Sequence, residues 1–172
     1  LRRDPLVPPT DFGIRMNKEI YQEKTKKILS DCGAFVEGGH FIYSSGRHGD
    51  FYINKDALFM RPQLTDDVST MLVDTAIETY GLNFDFVVAP TYGGVILGQL
   101  CAYGFSLHAS KEIRFAYSEK DEAGRHRVLR RRFGESIKGY KVLLVDTVVT
   151  TGRTLLGVSQ AVIRAGAKIV GA

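Results

Sequence analysis

The sequence predicts an α/β protein in which a parallel sheet is flanked by helices. Two apolar runs, residues 84–89 and 142–145, each lead through a loop rich in glycine or threonine into a stretch with helical spacing. Further strand candidates follow both helical stretches. Strand–loop–helix units in series are typical of a parallel sheet with helices on both faces. With 172 residues, the chain has the size of one compact domain.

Composition excludes several other classes of protein. Hydrophobic residues make up 44% of the chain and charged residues 24%, as in folded globular proteins. No apolar run reaches the roughly 18 residues that a membrane span needs, and the start lacks a secretory signal pattern. Two cysteines, Cys32 and Cys101, are too few for a disulfide framework, so we expect reduced thiols in a cytoplasmic protein.

Positive charge is concentrated in one segment. The net charge is +4, and residues 111–141 hold ten Lys or Arg residues against five acids. Such a segment is either a solvated face or a surface that meets an anion. No helix-turn-helix, zinc-finger or RNP pattern accompanies it, so we expect no nucleic-acid partner.

The first 60 residues predict an arm, a helix and a hairpin. Residues 1–15 carry three prolines and form the arm, and Asn17 is a suitable N-cap for a helix over residues 18–30. Residues 41–43 and 51–53 predict two short strands around a Ser-Ser-Gly-Arg turn. We expect this N-terminal part to be followed, from residue 61 onward, by the α/β core.

Pro62 suits the first position of the next helix, which runs to about Tyr80. Its predicted inner face consists of Leu64, Val68, Met71, Leu72, Thr75 and Ala76. The remaining elements are strands at 84–89, 112–117, 128–133, 142–145 and 168–170, helices ending near Tyr103 and Arg164, and a polar mobile loop at 118–127. The chain stops at Ala172 inside a predicted strand, and we therefore expect the natural product to continue.

The loop after residues 142–145 has the features of a phosphate site. Asp146 stands at the strand tip, and Thr150, Thr151, Gly152 and Thr154 then supply amides and hydroxyls at a helix N-terminus. An acid ahead of such a cradle suits a sugar phosphate, because the carboxylate can accept hydrogen bonds from ribose hydroxyls. The alternative is an ordinary helix cap. The loop is not a Walker A motif, since GxxxxGK[ST] is absent.

A second loop, Ala-Pro-Thr-Tyr-Gly-Gly at residues 89–94, follows the other apolar run. Paired glycines allow a close approach of the backbone to an anion, although a tight turn explains them equally well. Together, the two loops suggest a ligand that carries phosphate at both ends.

These motifs resemble those of the type I phosphoribosyltransferases. Residues 146–154 are similar to the motif with which that family binds phosphoribosyl pyrophosphate (PRPP), and residues 38–55 are similar to the hood of its orotate branch. Residues 89–94 resemble the family's pyrophosphate loop, and residues 115–133 its mobile catalytic segment. The resemblance covers residues 28–172 and implies an α/β core with a small N-terminal hood.

The resemblance implies a role for each matching residue. Asp146 and Lys120 are implied in catalysis, Asp146 on the ribose hydroxyls and Lys120 on pyrophosphate. The residues implied to bind PRPP are Asp146, Thr147, Val148, Val149, Thr150, Thr151, Gly152, Arg153, Thr154, Thr91, Tyr92, Gly93, Lys120 and His126. Those implied near the base are Ser44, Ser45, Gly46, Arg47, Tyr52 and Thr150. The Thr91–Tyr92 peptide bond is expected to be cis.

The implied reaction transfers the phosphoribosyl group of PRPP to orotate, which yields orotidine 5′-phosphate and pyrophosphate for pyrimidine biosynthesis. Mg²⁺ is the implied cofactor, carried by PRPP and not by protein side chains. A homodimer that shares the 118–127 loop between active sites is also implied.

The chain departs from the family pattern at three positions. Thr147 stands where a second acid is usual, Gly93 where one branch has a lysine, and Leu156 where an arginine contacts the orotate carboxylate. Two alternatives therefore stay open. One is a transferase of the same type for another base, and the other is a non-catalytic regulator that binds PRPP or a nucleotide.

Overall fold

The computed structural model describes residues 18–43, 45–130 and 132–172. The predicted arm and the Asn17 cap lie outside these residues. The helices are α1 Lys18–Asp31, α2 Lys55–Phe59, α3 Pro62–Tyr80, α4 Gly93–Ala109, α5 Phe133–Ser136 and α6 Arg153–Arg164. The strands are β1 Phe35–Ile42, β2 His48–Ile53, β3 Phe86–Pro90, β4 Arg114–Lys120, β5 Arg127–Val128, β6 Lys141–Leu144 and β7 Lys168–Gly171.

The core is a five-stranded sheet with the order β5-β4-β3-β6-β7. Strands β4, β3, β6 and β7 are parallel, which confirms the predicted sheet, whereas β5 runs antiparallel to β4. The strand predicted at 128–133 was wrong in extent, because only Arg127 and Val128 pair with β4 and the chain then turns into α5. The predicted polar loop is likewise shorter, since β4 continues to Lys120 and a bond from Asp121 N–H to the His126 carbonyl (2.8 Å) closes the turn.

Alternate residues of the central strands enter two separate cores. Val87 and Leu143 pack beneath α3 and α4, whereas Val88 and Leu144 pack beneath α6. All of β3 is buried, as the unbroken apolar run of residues 84–89 predicts for a strand covered on both faces. Helices therefore lie on both faces of the sheet, as predicted.

Helix α4 approaches β3 through two glycines one turn apart. A Cβ built on Gly94 would lie 2.9 Å from Pro90 Cδ, and one on Gly98 would lie 2.7 Å from Phe115 Cε2. Larger residues would push the helix away from the sheet. The first turn of α4 is thereby held against the end of β3.

The buried face of α3 differs from the predicted one. Thr65, Ser69 and Val73 are its most buried residues, whereas Leu72 is exposed. The hydroxyl of Thr65 donates to the Leu58 carbonyl (2.9 Å) and so satisfies a polar group of α2 inside the packed region. An apolar pattern alone cannot identify polar residues that are buried because they bond to a neighbouring turn.

The N-terminal hairpin forms a sheet of its own. Strands β1 and β2 pair only with each other in the described chain, with an irregularity between Glu37 and Phe41. The Asn54 N–H donates to the Ala34 carbonyl at 2.7 Å and joins the end of β2 to the start of β1. A small apolar cluster that includes Cys32, Ala34 and Leu58 anchors the hairpin to α1 and α3.

Asp85 ties three strands together at the amino edge of the sheet. Its Oδ2 accepts from the Lys141 N–H (3.1 Å) and its Oδ1 from Lys111 Nζ (3.2 Å), while its carbonyl accepts from the Arg114 N–H (3.0 Å). Burial by itself would raise the pKa of the Asp85 carboxyl. The hydrogen bonds and the neighbouring positive charges outweigh burial and lower the pKa below its usual value.

Replacement of Asp85 by Asn should lower the free energy of unfolding by about 1–2 kcal/mol at pH 7. Because the folded-state pKa is depressed, the stabilisation is present above the unfolded-state pKa and is lost as pH falls through the folded-state value. The difference in free energy of unfolding between wild type and variant should therefore disappear as the pH falls below about 4. Urea unfolding at several pH values measures this difference.

The matched control is Asp31→Asn, which removes an exposed ion pair with Lys27 inside one helix. That change should cost less than about 0.5 kcal/mol. Equal effects of the two substitutions at pH 7 would contradict the role given to Asp85.

Candidate active site

The site forms where the order of the sheet reverses. The chain leaves β3 through α4 toward β4 on one side, and leaves β6 through α6 toward β7 on the other. Because β3 and β6 are parallel neighbours, both loops emerge at the same edge of the sheet. A Cβ built on Gly93 would lie 3.1 Å from Thr147 Oγ1, so the two loops are in close contact.

The β6–α6 loop curls into a small cradle. Pairing continues past β6 through a bond from Val145 N–H to the Val88 carbonyl (3.0 Å), which places Asp146 at the sheet edge. Gly152 precedes α6 with φ 72°, in the left-handed region that favours glycine. Asp146 and residues 148–155 surround a cavity of about 30 Å³. Since the first amides of a helix lack intrahelical acceptors and attract anions, the cradle suits a phosphate group.

Asp146 is partly buried and lies among groups that stabilise its charge. Its Oδ1 accepts from the Thr147 N–H at 2.8 Å. Burial raises the pKa of the carboxyl, while the Thr147 bond and the charges of Arg127 and Lys55 lower it. The net result is a pKa above the usual value. This carboxylate can accept hydrogen bonds from hydroxyl groups of a ligand.

The β3–α4 loop is fixed on its strand side. The Thr91–Tyr92 peptide bond is cis, as expected from the resemblance. The Thr91 N–H donates to the Ser118 carbonyl (2.8 Å), and the Thr91 carbonyl accepts from Arg127 Nη1 (3.1 Å). Tyr92 is 92% exposed, and Gly93 opens α4. The backbone of this loop is therefore held beside the cradle.

A basic pocket of about 510 Å³ lies between the β4–β5 hairpin and the start of α6. We define it by its basic lining residues, which are Lys120, Arg125, His126, Arg127 and Arg153. Thr154 of the cradle also lines this pocket, and so does Leu156, which is 60% exposed. The described lining residues include no acid. A pocket of this charge suits a ligand with several negative charges.

The N-terminal hairpin, β1–β2, lines a larger cleft, which the sequence did not predict. The cleft has a volume of about 600 Å³ and runs from α1 and α3 to Asp146 and Thr147. Phe35 and Ile53 line it, whereas Tyr52 lies on the other face of β2 and stacks on Phe41 with ring centroids 5.7 Å apart.

The turn of the β1–β2 hairpin lies outside this cleft. Ser45, Gly46 and Arg47 form the exposed turn, and none of them lines the cleft. Ser44 lies outside the described residues. Base contacts by this group and Tyr52 stay predictions.

Two charged residues that the sequence analysis did not assign to the site face Asp146. Lys55 opens α2, and its Cε would lie 2.9 Å from a Cβ on Gly93. Its position at the end of the hood motif was the available signal. Arg127 was predicted only as part of the polar loop at 118–127, because sequence spacing does not reveal that its side chain turns back toward Thr91.

The described residues contain no group of three or more His, Cys, Asp or Glu side chains that could hold a metal ion. Asp146, with Thr147 beside it, offers a hard oxygen donor at the sheet edge, which fits a cation that arrives on phosphate oxygens. Among the described helices, none is both long and apolar enough to cross a membrane.

Comparison with known proteins agrees with these features. Residues 55–172 match the family described as phosphoribosyl transferase domain. The orotate phosphoribosyltransferase of Campylobacter concisus is 33% identical over 146 residues, which cover 85% of this chain and 67% of that protein. The enzyme of the same name from Parvibaculum lavamentivorans is 34% identical over 151 residues, 88% of this chain and 73% of that protein. The chain thus spans about two thirds of the length of the curated relatives it matches.

Solved structures confirm the predicted fold. A phosphoribosyltransferase from Corynebacterium diphtheriae superposes with a TM-score of 0.65 at 20% identity, over 88% of this chain and 79% of that one. Orotate phosphoribosyltransferase from Aeropyrum pernix superposes with a TM-score of 0.60 at 21% identity, over 83% of this chain and 75% of that one. At these identities the likeness concerns the fold.

Replacement of Gly152 by Ala should weaken phosphate binding by about fivefold, equivalent to roughly 1 kcal/mol. A side chain at φ 72° is strained, and relaxation of the turn would move the first amides of α6 away from the cradle. Calorimetric titration of inorganic phosphate measures the affinity.

Gly139→Ala is the matched control, because Gly139 has φ 81° and, like Gly152, has nothing within 4 Å of a built Cβ. It lies before β6, at the opposite edge of the sheet. Equal phosphate affinity in both variants would argue against the cradle.

Proposed function

The chain belongs to the phosphoribosyltransferase family, among the orotate phosphoribosyltransferases, and we propose that it transfers the phosphoribosyl group of PRPP to orotate. The products are orotidine 5′-phosphate and pyrophosphate, in pyrimidine biosynthesis. One observation carries the proposal: Asp146 and the amides of the α6 cradle line one cavity, beside the cis-peptide loop. This arrangement offers separate sites for the two phosphorylated ends of PRPP and for the ribose between them.

Each part of PRPP has a proposed partner. The cradle, residues 148–154, holds the 5-phosphate through backbone amides and threonine hydroxyls. Asp146 accepts from the ribose hydroxyls. The amides of residues 91–93 and the side chains of Lys120 and His126 meet the pyrophosphate.

The chemistry is a displacement at the anomeric carbon. The bond from that carbon to the pyrophosphate oxygen breaks, and the oxygen keeps the electron pair. A ring nitrogen of the base donates its pair to form the new bond, through a transition state with oxocarbenium character. The chain supplies no covalent nucleophile in this scheme; it orients the reactants and stabilises charge on the leaving group.

The hood supplies the proposed base site. Ser44, Ser45, Gly46, Arg47 and Tyr52 are the proposed contacts, with Thr150 from the cradle side. The cleft supports a base site beside the hood, because Phe35 and Ile53 line it next to the Asp146 carboxylate. The proposed turn residues and Tyr52 do not line it in this structure.

Mg²⁺ is the proposed cofactor. When bound to phosphate oxygens it would neutralise charge on pyrophosphate, with Asp146 as the nearest carboxylate of the chain's site. The positive charges of Lys55 and Arg127 near Asp146 repel a cation, so the protein side chains contribute little to holding it.

A homodimer in the cytoplasm is the proposed state of the protein. The turn at 121–126 joins β4 to β5 and carries the exposed residues Arg125 and His126. In a dimer, this turn can reach the anionic ligand that is bound in the active site of the second subunit. Buried, unpaired Cys32 and Cys101 agree with a reducing compartment.

A second candidate is a relative that uses another base, or one that binds PRPP without turnover. Leu156 favours it, because this apolar side chain lines the basic pocket at the place where the family has an arginine. PRPP-dependent pyrophosphate release across orotate, uracil, adenine, guanine and hypoxanthine separates these alternatives. Pyrophosphate release with orotate supports the proposal. Release with only another base identifies that base as the acceptor instead of orotate. PRPP binding without pyrophosphate release identifies a regulator.

Asp146→Asn should lower PRPP-dependent turnover by at least about 100-fold. The fold should be retained, because burial disfavours the charge of this carboxyl and a neutral amide removes that cost. Pyrophosphate release and thermal unfolding are measured on the same preparation. Asp66→Asn, on the exposed side of α3, is the control and should match wild type in both. Full activity of a folded Asp146→Asn protein would contradict the role of Asp146.

Lys120→Ala should lower kcat far more than it weakens PRPP binding. Its charge matters most as pyrophosphate departs, so its loss falls on the transition state. Steady-state kinetics and calorimetric PRPP binding provide the two quantities.

Mixing inactive Lys120→Ala with inactive Asp146→Asn protein tests the shared site. In a heterodimer with exchanged hairpins, one site carries both substitutions and the other carries none, so part of the activity should return. If subunit exchange is demonstrated and no activity returns, Lys120 serves its own subunit's site.

A further inference from the structure

Arg127 occupies a central position at the catalytic edge. It opens β5, its side chain is partly buried, and one guanidinium nitrogen reaches two neighbouring segments. Its Nη1 donates to the Thr91 carbonyl (3.1 Å), to Thr91 Oγ1 (3.3 Å) and to the Ser118 carbonyl (3.2 Å). The guanidinium therefore joins the residue before the cis peptide to the end of β4.

Helix α6 holds the stem and backbone of Arg127. A Cβ built on Gly157 would lie 3.1 Å from Arg127 Cγ, so the helix leaves space for the stem only because residue 157 has no side chain. Arg164 Nη2 donates to the Arg127 carbonyl at 2.7 Å. The side chain is thus packed between α6 and the sheet, and a packed arginine loses little further freedom when it bonds.

Three described groups act on the charge of Asp146. Arg127 faces it from β5 and Lys55 from α2, and the Thr147 amide donates to it within its own loop. Burial raises the pKa of the Asp146 carboxyl, and these three groups oppose that rise. Arg127 in turn loses some proton affinity through burial and regains part of it from Asp146.

We propose that Arg127 is a positioning residue of the phosphoribosyl transfer, which fixes the pyrophosphate loop against β4 through its bonds to Thr91 and Ser118. This inference rests on the proposed function for its kinetic consequences. Lys55 also lies beside this loop, and no described hydrogen bond joins it to Thr91.

Two substitutions test these bonds. Arg127→Gln shortens the side chain and keeps one amide donor group, and Arg127→Lys keeps the charge but loses the planar fork. Arg132→Met is the control, since Arg132 is an exposed arginine that does not line the basic pocket. Thermal unfolding establishes that each variant folds.

The position of the loop is tested without turnover. The ¹H–¹⁵N amide resonances of Tyr92 and Gly93 are compared in each variant. Loss of the bond from Arg127 to the Thr91 carbonyl should shift the Tyr92 resonance in Arg127→Gln and Arg127→Lys and leave it at its wild-type position in Arg132→Met. Unchanged Tyr92 and Gly93 resonances in folded Arg127→Gln would overturn the proposal.

The positioning is tested by kinetics. Arg127→Lys should lower kcat about tenfold with a smaller change in KM for PRPP, because a displaced pyrophosphate loop affects the reacting geometry most. Full kcat in Arg127→Lys would overturn the proposal even if the glutamine variant did not fold. Absence of turnover in wild type with every base would reject the proposed function, while the amide resonances would still decide whether Arg127 fixes the pyrophosphate loop.

Discussion

The parallel pairing of β3 with β6 is the interaction on which the site depends. Each strand sends its helix to the opposite face, so the two loops diverge from a common edge and leave a crevice between them. The bond from Val145 to Val88 extends this pairing to the residue before Asp146. The position of the carboxylate relative to Gly93 is therefore set by the pairing of the two central strands.

The electrostatics of the crevice follow from that geometry. An ionised Asp146 at a partly buried strand end is costly by itself, and the chain offsets the cost with Lys55, Arg127 and the Thr147 amide. Each comes from a different segment. These groups oppose the effect of burial on the carboxyl, whose pKa stays above its usual value. In a site that is partly shielded from bulk water, hydrogen bonds to a ligand are stronger.

The sequence predicted the parts of the molecule that local patterns determine. The β3 and β6 runs, the proline at the start of α3 and the Asp146–Thr154 loop could all be identified from a few adjacent residues. The extent of β5 could not, because it depends on pairing with β4 across a turn. Arg127 could not be assigned to Asp146 for a related reason: its contacts with Thr91 and Ser118 are made across strands, and spacing along the chain carries no trace of them.

The separation of the two sheets has a consequence for how this protein can diverge. Within the described residues, the β1–β2 hairpin that borders the cleft exchanges no ladder hydrogen bonds with the five-stranded sheet, so the register at Asp146 does not depend on it. The phosphate side, by contrast, is fixed by close packing at Gly94 and Gly98, where an added Cβ would lie less than 3.0 Å from neighbouring atoms. Selection can thus act on the two halves of the crevice at different rates. An ancestral phosphate-binding half can be retained while the facing wall is rebuilt for a new acceptor.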